Sequence, residues 1–177
     1  MDLEQYKQKL FQFNSTDKYR RELSFLIQLL GNVTQDTVLD MGCGTGYAMQ
    51  HIQAKRVYGY DKTKYTDSPF YLDALKRKFD HVYFMHSFAH VENIADVLID
   101  LRYRIRESIT IITPNRMFLQ ANPKPNYVPD PTVLKHYSLD ELIYLLQSTG
   151  WFIGTKGQFG SYANGQNERL FIQGHKI

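Results

Sequence analysis

The segment Val38-Leu39-Asp40-Met41-Gly42-Cys43-Gly44-Thr45-Gly46 constrains this chain more than any other. An apolar run carries an acid near its end, and glycines then occupy alternate positions. Glycine at such a place lets the backbone turn tightly and lets a ligand lie against it without meeting a Cβ. Thr37 to Met41 reads as a short buried strand, and a helix is predicted from about Tyr47 to Gln53. A helix there would aim free N–H groups at whatever sits on the loop, favouring a carboxylate or phosphate. A second strand, Arg56 to Tyr60, ends at Asp61, fifteen residues beyond Gly46. Doubly wound folds use an acid at this place to hold a ribose diol, each hydrogen bond contributing about 1.5–3 kcal/mol.

The remaining elements fit the same plan. Leu3, Tyr6, Leu10 and Phe13, then Leu23, Leu26, Ile27 and Leu30, recur at helical spacing, with a break and N-cap signal at Asn14-Ser15-Thr16-Asp17 and a stop at Gly31. Further strands are predicted at His81–Met85 and Ser108–Ile112, with a helix between them presenting Ile94, Val97, Leu98 and Leu101. A proline-rich loop, Asn122 to Pro131, leads to Ser138-Leu139-Asp140-Glu141, the form of a capping box ahead of a helix through Leu146. Two late strands, Trp151–Phe159 and Arg169–Gly174, should form an antiparallel hairpin. Strands alternating with helices predict an α/β, doubly wound, Rossmann-like and mostly parallel sheet. Only residues 62–69 separate Asp61 from the next strand candidate, Phe70-Tyr71-Leu72, and a parallel crossover needs about a dozen. The third strand and its helix are therefore expected to be truncated, giving six strands rather than seven and opening one side of the ligand pocket.

With 177 residues and no linker or repeat, a single domain is expected over 1–177: an N-terminal helical lid at 1–31 and a core at 33–177. A formal net charge of +3, with basic residues scattered among acids, does not argue for a nucleic-acid partner. Apolar runs fall short of a membrane span, and the polar, amphipathic N-terminus is no signal peptide, so a soluble cytoplasmic protein is expected. The one cysteine, Cys43, excludes an internal disulfide and an all-cysteine zinc site.

Other ligand classes fit less well. The dinucleotide fingerprint G-x-G-x-x-G would need a glycine where Tyr47 stands, and the Gly-Lys-Ser/Thr of a phosphate loop is absent. His86 and His90 form H-x-x-x-H, but His86 falls on a strand end and no third ligand is nearby, so no metal site is expected. A truncated sheet edge could invite pairing between two copies of the chain.

With Asp40, Gly42, Gly44, Gly46 and Asp61 in place, the chain resembles the class I S-adenosylmethionine-dependent methyltransferases, within them the small-molecule type 11 or type 12 branch. The likeness continues through Lys78-Phe79-Asp80-His81-Val82, Phe88-Ala89-His90-Val91-Glu92-Asn93, Ile111-Ile112-Thr113-Pro114-Asn115 and His136-Tyr137-Ser138-Leu139-Asp140-Glu141-Leu142, and on to Gly150-Trp151-Phe152. The resemblance implies that S-adenosylmethionine is the cofactor and S-adenosylhomocysteine the product. It implies that Asp40 orients the cofactor's ammonium, that Gly42, Cys43, Gly44 and Gly46 form the loop beneath it, and that Asp61 takes the ribose with Lys62 beside the adenine. His86 and Ser87 would border the methionine moiety, and Asp73 is a candidate for the adenine amino group. The adenine-methylating tetrapeptide is absent, His86-Ser87-Phe88-Ala89 standing in its place.

Methyl transfer from a sulfonium is an in-line displacement, so the protein chiefly aligns donor and acceptor and excludes water. A base is required only where the nucleophile must lose a proton. Three histidines are candidates: His86 at the strand end, His90 at the start of the next helix, and His136 after the proline loop. Tyr6, Phe11, Phe13 and Tyr19 could form an aromatic lid, although ordinary helix packing is the favoured explanation of them. The expected reaction is methylation of a small-molecule acceptor, at oxygen before carbon or nitrogen. The competing reading is a non-catalytic or partner-dependent subunit with a degenerate site.

Overall fold

The computed structural model describes residues 3–122, 130, 132–161 and 167–176. Its six strands are β1 (Thr37–Met41), β2 (Arg56–Tyr60), β3 (Phe79–Met85), β4 (Ile105–Pro114), β5 (Phe152–Ser161) and β6 (Asn167–His175). They lie in the order β2-β1-β3-β4-β6-β5. The first four run parallel, and β6 inserts antiparallel between β4 and β5. The helices are α1 (Leu3–Asn14), α2 (Asp17–Leu30), α3 (Ile94–Arg104), α4 (Arg116–Ala121) and α5 (Leu139–Ser148). This is the doubly wound, mostly parallel sheet with a C-terminal antiparallel hairpin that the alternating pattern predicts.

The two-residue period of the strands divides the core into two layers. Leu39, Val82, Phe84, Ile109 and Ile111 point to one face, where Leu98 and Leu101 of α3, Leu142 and Leu146 of α5, and Trp151 cover them. Val38, Tyr83, Met85 and Ile112 point to the other face, under Tyr19, Leu23, Leu26 and Leu30 of α2. Thr16 caps α2, its hydroxyl accepting from the Tyr19 N–H, and Gly31 ends it with φ +70°. The predicted capping box on α5 is complete: Ser138 Oγ accepts from Glu141 N–H and Glu141 accepts from Ser138 N–H.

The structure departs from expectation in three places, while the third strand is truncated as expected. The helix predicted at Tyr47–Gln53 is a single 3-10 turn, Ala48–Gln50. Between the glycine turn and β2 the chain has only residues 47–55, and Ala48, Met49 and Ile52 use them to fill the layer under α2. The third strand survives as one parallel bridge, Gly59 with Tyr71, closed by Gly59 N–H to Phe70 O at 3.1 Å and Leu72 N–H to Gly59 O at 2.8 Å. Residues 62–69 do not leave the pocket side open, as described below. The short helix α4 was not foreseen; Asn115 starts it by accepting from Met117 N–H at 3.0 Å. Most of the Asn122–Pro131 loop lies outside the described residues. No helix among the described residues is long and apolar enough to cross a membrane.

Candidate functional site

The site lies at the carboxyl ends of β1, β2, β3 and β4. Gly42, Gly44 and Gly46 have φ of +77°, +51° and +76°, a region that costs other residues conformational strain. Gly42 has a second constraint, since a Cβ added there would lie 2.2 Å from Ser87 Cβ. The Ser87 hydroxyl donates to Met41 O, so the end of β3 is tied to the entrance of the glycine turn. On the other side, Gly42 N–H donates to Tyr60 O at 2.7 Å.

Asp61 is part of the same turn. Its Oδ2 accepts from Gly44 N–H at 2.9 Å and its Oδ1 from Thr63 N–H at 3.2 Å. The Tyr71 hydroxyl donates to the Asp61 carbonyl at 2.8 Å, which is how the vestigial third strand supports the acid. Beyond Asp61 the chain curls back: Thr66 Oγ1 would stand 3.3 Å from a Cβ on Gly46, and the Tyr65 ring packs 5.4 Å from Tyr6. The missing crossover helix is thus replaced by a turn that covers the loop.

Asp40 is 3% exposed, and no cation among the described residues offsets its charge. Burial pushes its carboxyl up to about 7, with the Tyr83 hydroxyl opposing and the Asp61 charge reinforcing the shift. The Tyr83 hydroxyl is itself sealed in without a well-directed hydrogen bond. A buried, uncompensated acid beside a second acid suits a cationic group, and the glycine backbone suits close approach of a flat or extended ligand. The residues present therefore fit the ammonium and ribose of an adenosylated amino acid.

Helix α1 closes the site from above. Asn14 Nδ2 donates to Thr45 Oγ1 at 3.0 Å, and Leu10 Cδ1 would be 3.5 Å from a Cβ on Gly44. Phe13 meets Tyr19 and His86 edge-on, with ring centroids 5.3 and 5.6 Å apart, and Tyr19 meets Tyr47 at 5.8 Å. Phe11 is 65% exposed and takes no part. Arg20 and Arg21 also point outward, Arg20 towards Asp17.

The three candidate histidines are not gathered at one point. His86 directly follows β3 with φ +65°, and its Nε2 lies 2.5 Å from Glu22 Oε2. Burial lowers its pKa; the Glu22 carboxylate opposes this, and the Arg169 and Lys18 charges add to the lowering. His90 sits in a 3-10 turn (Phe88–His90), with Nδ1 2.8 Å from Thr132 Oγ1. Among the described residues His136 Nδ1 is buried without a hydrogen-bond partner, and burial and His90 both lower the pKa of its ring. Lys62 is exposed and pairs with Glu92 at 3.1 Å. Asp73 is exposed, and its charge acts on the Tyr71 hydroxyl.

Sequence reasoning missed Glu22, Glu168 and Arg169. Glu22 is 4% exposed, and Arg169 Nε lies 2.9 Å from its Oε1. Arg169 Nη1 and Lys18 Nζ both meet Glu168 Oε1, at 3.4 and 2.5 Å. The available signal was an acid at the i+3 position between Tyr19 and Leu26 on the apolar stripe of α2. A buried face rarely carries a charge unless something pairs it.

A glycine turn after the first strand, an acid after the second and this strand order define a Rossmann-like protein of the methyltransferase type. The chain belongs to the methyltransferase-domain family, which matches residues 11–153. Its fold is similar to that of a SAM-dependent methyltransferase from Aquifex aeolicus, with TM-score 0.67, 17% identity and 100% of both chains covered. It is also similar to a chain in the complex between the Haloferax volcanii Trm112 methyltransferase activator and a methyltransferase, with TM-score 0.74, 14% identity and 98% and 97% coverage. A third likeness is to the Synechocystis magnesium protoporphyrin IX methyltransferase with bound SAH, at TM-score 0.66, 15% identity and 90% and 84% coverage. No curated protein matches the chain by sequence.

Proposed function

We propose that this methyltransferase uses S-adenosylmethionine and methylates a small-molecule acceptor, at oxygen in preference to carbon or nitrogen. The observation that carries the cofactor is the combination of three left-handed glycines with a buried Asp40 on one side and Asp61 on the other. S-adenosylmethionine, when bound, supplies an electrophilic methyl group on a sulfonium. Asp40 meets the ammonium, and Gly42, Cys43, Gly44 and Gly46 provide the surface without side chains on which the amino acid lies. Asp61 holds the ribose while still bracing Gly44, and Lys62 flanks the adenine. Ser87 fixes the wall between the glycine turn and β3.

His86 is the favoured base, because its ring lies at the end of β3 against the lid aromatics Phe13 and Tyr19. His90 and His136 line the far side, next to Thr132, where the acceptor enters. Asp73, exposed and acting together with Asp61 on the Tyr71 hydroxyl, is assigned to the adenine amino group. We read residues 1–177 as one domain whose N-terminal helices, 1–31, close over a core at 33–177. The same reading implies a cytoplasmic protein with no nucleic-acid or membrane partner, and a homodimer is compatible with it.

A partner-dependent subunit is the second reading, favoured by the likeness to a chain in a complex with a methyltransferase activator. Calorimetric titration with S-adenosylmethionine and S-adenosylhomocysteine, with NAD as control, tests the first reading. Micromolar binding of the first two alone supports it. Absence of binding to the isolated chain overturns it in favour of the partner-dependent form.

A further inference from the structure

The charged cluster beneath His86 is more elaborate than packing requires. Glu22 comes from α2 and is sealed between two partners, His86 Nε2 at 2.5 Å on one carboxylate oxygen and Arg169 Nε at 2.9 Å on the other. Arg169 continues to Glu168, and Glu168 to Lys18, so that two acids and two bases balance. With the charges balanced, the cluster gives the imidazole no net reason to carry a proton. His86 also holds a left-handed backbone, φ +65°, secured by its N–H donating to Ile112 O at 2.9 Å. Strain of this kind in a residue other than glycine concentrates at functional positions.

Burial raises the Glu22 carboxyl, but the His86 hydrogen bond and the Arg169 and Lys18 charges outweigh it and hold the acid ionised. An ionised carboxylate only accepts, so the hydrogen in the 2.5 Å contact belongs to His86 Nε2. A neutral imidazole with hydrogen on Nε2 has its lone pair on Nδ1. His86 Nδ1 has no hydrogen-bond partner among the described residues.

We propose that Glu22 is a positioning residue for methyl transfer: it fixes His86 in the Nε2–H form, so that Nδ1 is the atom that takes the acceptor's proton. Arg169 faces the other Glu22 oxygen as an ion pair at 2.9 Å, without a directed hydrogen bond from its Nε–H, and holds the carboxylate by charge. The inference rests on the methyltransferase reading above. In the step it serves, the acceptor's O–H proton passes to Nδ1 and the oxygen electron pair forms the O–CH3 bond. The C–S pair returns to sulfur, leaving S-adenosylhomocysteine and an imidazolium facing Glu22. The imidazolium then releases its proton to solvent. This is the logic by which a buried carboxylate sets the tautomer of a catalytic histidine.

The test is the tautomer itself, read by two-bond proton–nitrogen NMR correlations on the labelled full chain in neutral buffer with S-adenosylhomocysteine. His86 is assigned by the signals lost in His86→Asn, since asparagine tolerates the left-handed backbone. The wild type is expected to show hydrogen on Nε2. In Glu22→Gln the amide oxygen stays with Arg169 and the amide N–H2 faces His86, so the hydrogen is expected to move to Nδ1. Affinity of Glu22→Gln for S-adenosylhomocysteine should stay unchanged. Hydrogen on Nδ1 in the wild type overturns the proposal without any variant. So does an unchanged tautomer in a folded Glu22→Gln protein. Failure of the wild type to bind S-adenosylhomocysteine removes the methyltransferase reading and this role with it, whereas binding with the wrong tautomer removes the role alone.

Discussion

Asp61 accepts a hydrogen bond from the backbone N–H of Gly44 at 2.9 Å, so the acid that ends β2 is also a brace of the glycine turn that follows β1. One carboxylate therefore joins two neighbouring strand ends before any ligand arrives. Asp61→Ala should weaken S-adenosylmethionine and S-adenosylhomocysteine binding more than tenfold, because about 1.5–3 kcal/mol is attached to each charge-assisted hydrogen bond. Asp61→Asn can still accept from Gly44 and should lose less. Calorimetry on both variants separates bracing from ligand contact, and equal losses would show that the charge on the ligand side dominates.

Asp40 carries the strongest pH signature. Burial puts its folded pKa at about 7 against an ordinary 3.8, so between those limits the folded chain holds a proton that the unfolded chain has lost. The unfolded state then binds fewer protons, and this residue's contribution to stability falls as pH rises from about 4 to about 7. Asp40→Asn should therefore melt above the wild type at pH 8 and match it below about pH 4. The same variant should lose affinity for the cationic cofactor. A thermal melting series over pH checks the first point, and titration checks the second.

Gly42→Ala combines a left-handed backbone with a contact of 2.2 Å to Ser87 Cβ. Neither strain has a flexible side-chain end to absorb it, so a loss of at least about 2 kcal/mol is expected in urea unfolding. The double variant Gly42→Ala with Ser87→Gly should regain part of that loss. No recovery would mean that the backbone conformation, and not the contact, sets the cost.

Helix α1 contributes no apolar residue to either buried core cluster, resting on the glycine turn through Leu10 and Asn14. Removing residues 1–14 should shift the melting temperature by less than about 5 °C. S-adenosylhomocysteine affinity should drop because the loop loses its cover. Hydrogen exchange should show α1 opening faster than α2 and becoming protected when ligand is added.

The sequence carried the site unevenly. The glycine turn and Asp61 were legible because strand, turn and acid are adjacent in the chain and their spacing is fixed by backbone geometry. The capping box at Ser138 and Glu141 was legible for the same reason, since both partners belong to one turn of helix. The helix expected at Tyr47–Gln53 was not formed, because local pattern cannot reveal that Ala48, Met49 and Ile52 are needed to fill the space under α2. The pocket side expected to open was covered by Tyr65 and Thr66, whose contacts with Tyr6 and Gly46 reach across elements.

By itself the sequence determined the alternation of strands and helices, the glycine turn, its two acids and the missing third-strand unit, all of which depend on neighbours a few residues apart. Only the tertiary structure decided that Glu22, Arg169, Glu168 and Lys18 converge on His86. These residues span positions 18 to 169 and come from α2, the turn just after β3, and β6, and no periodicity links them. Backbone propensity acts locally, whereas a buried charge finds its partner wherever folding brings opposite charge and excludes water.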